Sequence, residues 1–114
     1  MSEKEGGFLL VYVTIPDREM AQAIAHSAVH RRLAACANIT TGVQALYHWK
    51  GVIEEREECT IVFKTRRALF GELNTHIAAH HPDEIPGIFA VPIETGSLPF
   101  LEWILDETAA PLDS

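Results

Sequence analysis

Apolar residues dominate the run FLLVYVTI, which stops at a Pro-Asp pair. A short run of this kind, rich in β-branched and aromatic residues, predicts a buried strand from about Phe8 to Ile15. Asp17 stands where a helix N-cap belongs, although Met20 replaces the Glu of a full capping box. In the following segment Ala21, Ile24, Ala25, Ala28 and Val29 recur at helical spacing and make one apolar stripe. His26 and His30 fall on the opposite face, one turn apart, a spacing open to a metal ion or to two solvated imidazoles.

Two long strand patterns follow, CANITTGVQALYHW and VIEEREECTIVFKT, joined by Lys50-Gly51 as a tight turn. Gly42 marks a bulge or bend in the first. In the second, Cys59, Ile61 and Phe63 share one face, and Glu58, Thr60, Val62 and Lys64 the other. A strand of this length spans about 46 Å at about 3.3 Å per residue. A compact domain of this size has a radius of gyration of only about 13 Å. The hairpin must therefore project from its own domain, and its middle carries Tyr47, Trp49, Val52 and Ile53. An isolated two-stranded hairpin is marginal in water. The pattern thus predicts an obligate oligomer in which a partner subunit covers the arm.

RRALFGELNTHIAAHH reads as a second helix, with Leu69, Phe70, Leu73 and Ile77 in its stripe. His80 projects close to that stripe and His76 to its edge, and Pro82 ends the helix. GIFAVPI is a short strand, and Leu98, Leu101, Ile104 and Leu105 predict a C-terminal helix. The order β-α-β-β-α-β plus a helix predicts an α+β, ferredoxin-like sandwich with helices on one face of an antiparallel sheet. The 114 residues form one domain, with an ordered core at about residues 8–106.

A formal net charge of −7 argues against nucleic acid as a partner. No apolar stretch approaches the roughly 20 residues of a membrane span. MSEKEGG lacks the basic-then-apolar order of a secretory signal, so the expected compartment is the cytoplasm. Cys36 and Cys59 lie in apolar surroundings without a CxxC motif and read as small hydrophobes. There is no Gly-rich phosphate loop, GxSxG or HExxH, which points to a binding protein and not an enzyme.

The segment NTHIAAHHPDEIPG concentrates potential ligands. His80, His81, Asp83 and Glu84, with His76 one turn earlier, make a nitrogen and oxygen set suited to Cu(II), Zn or Ni. Imidazole ligation requires the neutral ring, so affinity would fall below about pH 6. The other reading is a helix end and a corner, with His81 bonding loop backbone and the carboxylates facing water. Glu58 and Lys64 share a strand face about 20 Å apart, too far to meet within one subunit. Each could face a neighbour, either as an interface salt bridge or in an intersubunit cleft where Lys64 receives an anion.

TIPD (Thr14 to Asp17), RLAACAN (Arg32 to Asn38), LYHWKGVIEE (Leu46 to Glu55), Lys64-Thr65, HPDEIP (His81 to Pro86) and FLEW (Phe100 to Trp103) occur in that order. As an ordered set they resemble the CutA family of divalent-cation-tolerance proteins. The resemblance implies a homotrimer whose arms wrap between subunits, akin in architecture to the P-II signalling trimers. It also implies divalent cations, copper among them, as partners. The ligand positions implied by some bacterial members fall on His80 and His81, and on Val13 where those members carry a Cys. Asp83 replaces the family's usual aromatic residue, and Gly87 an acidic one. Trp49, Glu58, Lys64, His81 and Glu84 match positions at the family's intersubunit cleft. Three functional expectations follow: a copper-binding or other cation-binding trimer of metal tolerance, a P-II-like regulatory trimer that binds a small anion in the cleft, and a scaffolding trimer.

Overall fold

The computed structural model describes residues 6–109. Strand β1 (Phe8–Ile15) leads into helix α1 (Arg18–His30), and the long strands β2 (Cys36–Trp49) and β3 (Val52–Arg66) follow. A single 3-10 turn (Arg67–Leu69) precedes helix α2 (Phe70–His80), then come strand β4 (Ile88–Ile93) and helix α3 (Leu98–Glu107). The sheet order is β2-β3-β1-β4, antiparallel throughout. This is the split βαβ, ferredoxin-like topology expected from the order of elements.

Local signals act where the sequence places them. Asp17 accepts hydrogen bonds from the backbone N–H groups of Glu19 (2.8 Å) and Met20 (3.2 Å), capping α1. At its other end Arg32 takes a left-handed φ of 62°, and Leu33 N–H donates to the Ala28 carbonyl. With Arg32 N–H bonded to Val29, this is a Schellman motif without its usual glycine. Lys50 and Gly51 both have positive φ, as a tight hairpin turn requires.

One face of the sheet packs on α1 and α2. Val11, Val13 and Ile15 of β1 and Ile61 and Phe63 of β3 are fully buried there with Ala21, Ala28, Leu73 and Ile77. The third helix departs from the expectation of helices on one face. Ile104 of α3 packs with Phe8 and Ala35, and Phe8 points opposite to Leu9 along β1. Helix α3 therefore covers one end of the second face. The rest of that face stays open around Tyr12 and Phe89, whose rings lie 4.9 Å apart, and Phe89 and Val91 are exposed.

Strand β1 pairs with β3 only from Cys59 to Arg66. From Val43 to Glu58 the two long strands have only each other. This arm sets the molecule's longest dimension, 47 Å. Leu46, Val52 and Ile53 on it are exposed. No helix among the described residues is long and apolar enough to cross a membrane.

Candidate functional site

Where the arm leaves the domain, it and the 82–87 loop enclose an open cleft of about 870 Å³. Strand alternation sets Glu54, Arg56 and Glu58 on one face of β3. Tyr47 and Trp49 stand opposite Glu54 and Val52 on β2. The loop contributes Asp83 and Glu84.

Arg56 organises this cleft. Its guanidinium holds Glu58 Oε2 with two donors, Nη2 at 2.8 Å and Nε at 3.0 Å. The same Nη2 donates to Asp83 Oδ2 at 2.8 Å. The guanidinium carbon lies 5.6 Å from the Tyr47 ring centre, a cation–π contact. The bond to Asp83 pushes the Arg56 pKa above its ordinary value despite burial, with a further contribution from Glu58. Glu58 is only 6% exposed, so Arg56 supplies the partner that a buried carboxylate needs. Four carboxylates face this single cation among the cleft's walls.

His81 holds the loop in place. A carbonyl only accepts, so His81 Nε2–H donates to Thr14 O at 2.7 Å. A backbone N–H only donates, so Nδ1 accepts from Asp83 N–H at 3.0 Å. Both ring nitrogens are engaged, and the ring ties the loop to the end of β1.

The sequence-derived ligand set does not come together within one chain. His81 is bonded at both nitrogens, and Asp83 is paired with Arg56. Glu84 is exposed at the cleft, whereas His80 lies beside His76 on α2. His80 Nδ1–H donates to His76 O at 2.9 Å, which leaves its Nε2 open. Among the described residues no group of three or more His, Cys, Asp or Glu side chains is placed to hold a metal ion. Val13 is fully buried in the core. Trp49 and Glu58 line the cleft, but Lys64 does not; it bonds the Asn38 side chain further along β3.

The placing of His76 and His80 about the apolar stripe is corrected. His76 is buried at 6% exposure and His80 is exposed, because the end of α1 covers α2 at His76 and Arg31 lies against it. Arg31 Nη1 donates to His76 Nδ1 at 2.8 Å, so Nε2 carries the proton, and that buried N–H has no partner. Burial first, then the charges of Arg31 and His80, push the His76 pKa down. Arg56, Glu54 and Tyr47 were missed as cleft residues by the sequence reading. The alternation of Glu54, Arg56 and Glu58 is the signal that could have found two of them.

This geometry defines a class: a ferredoxin-like α+β chain with a projecting two-stranded arm and an acidic cleft at the arm's root. Residues 9–107 match the family model described as CutA1 divalent ion tolerance protein. The chain is 38% identical over 107 residues to chloroplastic CutA of Arabidopsis thaliana, covering 94% of this chain and 59% of that one. It is 37% identical over 99 residues to the divalent-cation tolerance protein CutA of Thermus thermophilus, covering 87% of this chain and 96% of that one. Crystallographic CutA1 from Oryza sativa superposes with a TM-score of 0.87 at 36% identity, covering 90% of this chain and 94% of that one. CutA1 from a psychrotrophic Shewanella does so with a TM-score of 0.88 at 32% identity, covering 90% and 96%. The chain belongs to the CutA1 divalent ion tolerance family.

Proposed function

We propose that this chain is a non-enzymatic, divalent-cation-binding protein of metal ion tolerance that works as a homotrimer, and that the cleft at the root of the arm is where cations are received. The carrying observation is the cleft's charge: Glu54, Glu58, Asp83 and Glu84 against Arg56 alone. That balance draws in a cation and repels a small anion. Of the cleft's four carboxylates, Glu54 and Glu84 make no salt bridge among the described residues. Assembly is supported by the arm, whose exposed Leu46, Val52 and Ile53 need cover, and by the open face at Phe89 and Val91. The names of the relatives supply the link to cation tolerance.

Calorimetric titration with Cu(II) and Zn(II), of the wild type beside Glu54→Gln/Glu84→Gln and His80→Ala variants, tests the cation site. The expected result is saturable binding that the cleft variant weakens several-fold and the His80 variant leaves in place. Binding that the cleft variant leaves untouched overturns the site. Sedimentation at micromolar concentration tests the assembly: a three-subunit mass is expected, and a folded monomer overturns it.

A further inference from the structure

The chain carries two pairs of imidazoles one helical turn apart, and they differ in availability. In the pair on α2, His76 Nδ1 is taken by Arg31 and His80 Nδ1 by a backbone carbonyl. The Arg31 charge also opposes any cation arriving there. In the pair on α1, neither His26 nor His30 makes a hydrogen bond among the described residues. Both are exposed, and their rings stand parallel, 8° apart in plane with centroids 6.4 Å apart. They stand over a groove of about 620 Å³ whose walls include Cys36 and Trp103 but no Lys or Arg.

We propose that His26 and His30 form a bidentate site on α1 for a borderline divalent cation, Zn(II) or Cu(II), separate from the acidic cleft. Two neutral imidazoles are nitrogen donors of the kind such ions prefer over Mg(II) or Ca(II). An ion about 2.0–2.1 Å from each nitrogen needs the two nitrogens within about 4 Å of each other. The rings are further apart than that, but residues at i and i+4 share one helix face, and exposed side chains tilt at little cost. No third His, Cys, Asp or Glu among the described residues converges on the pair, so water completes the coordination. The helix fixes the second imidazole beside the first, and this raises its effective concentration. The observation concerns α1 alone and does not rest on the reading of the cleft.

The test is calorimetric titration of the full chain with Zn(II) and Cu(II), with helix content followed by circular dichroism. Removal of either ring, in His26→Ala or His30→Ala, is expected to weaken one class of site by about tenfold or more. Gln22 lies one turn before His26 on the same groove and is exposed. Adding Gln22→His to His30→Ala rebuilds the pair one turn earlier and is expected to restore that class. Titrations of the single variants that match the wild type overturn the proposal. So does a loss that Gln22→His fails to repair, because chelation then was not its cause. The Glu54→Gln/Glu84→Gln variant separates the two readings: it affects only the cleft, so either site can fail while the other stands.

Discussion

Strand β3 runs through two environments. From Cys59 to Lys64 it lies between β2 and β1, and its residues from Glu58 to Ile61 are buried in succession, with Phe63 and Thr65 beyond them. From Val52 to Glu57 it has β2 on one side only, and nearly every residue is exposed. Both halves carry β-branched or aromatic residues that suit a strand. The difference is the third strand and the helices behind it, which convert extended backbone into a core. In the core half, apolar side chains are buried within the chain; in the arm, Leu46, Val52 and Ile53 are left exposed.

The strongest challenge to this contrast is a truncation on the core side. Phe63 is fully buried. Phe63→Ala is expected to cost about 3–5 kcal/mol, read by urea unfolding, through lost burial and a cavity. If Phe63→Ala costs no more than an exposed arm substitution, the two halves are not different in kind. On the arm, Val52→Asp/Ile53→Asp should spare the secondary structure of each subunit and weaken association by about 3 kcal/mol or more, since each side chain is worth about 1.5–3 kcal/mol when buried. Sedimentation across a dilution series reads that effect; unchanged mass at every concentration would place the assembly surface elsewhere.

A smaller effect is expected where α2 meets the end of α1. The His76 pKa is lowered in the folded chain, so the unfolded chain takes up the proton first on acidification. Above the ordinary imidazole value near 6.5 both states are neutral and no penalty arises. As pH falls below that value, stability is lost until the folded state also protonates. His76→Leu removes this slope and the unpartnered buried N–H together. It is expected to leave stability equal or raised by about 1 kcal/mol at pH 7, and to flatten the decline that begins below about pH 6.5. A steeper decline in the variant would show that His76 stabilises the fold in acid.

Much of this architecture is legible along the chain because its causes are local. The first strand, the Asp17 cap, the Lys50-Gly51 turn and the irregularity at Gly42 each depend on a few adjacent residues. The cleft was only partly legible. The resemblance sets Trp49, Glu58, Lys64, His81 and Glu84 at an intersubunit cleft, and Trp49, Glu58 and Glu84 line the cleft within this chain, but Arg56 finds Asp83 across 27 positions and His81 finds the Thr14 carbonyl across 67. Nothing in periodicity announces such pairings. The same distance in sequence explains His76: a helical wheel of α2 alone does not contain the end of α1.

The irregularity at Gly42 works like a change of phase in a two-letter code. Before it, Thr40 opposes Thr60; after it, Val43 opposes Glu58, so β2 has gained one residue on its partner. With that extra residue, Ala45, Tyr47 and Trp49 stand opposite Arg56, Glu54 and Val52. Were the Thr40–Thr60 register continued to the turn without it, Gln44, Leu46 and His48 would stand opposite those three residues instead. The bulge at the root of the arm thus reconciles two registers, one set by the sheet and one set by the Lys50-Gly51 turn. Deleting one residue between Thr40 and Val43 would close the bulge and leave the pairs on either side unchanged, because the register of the arm is held by its Lys50-Gly51 turn.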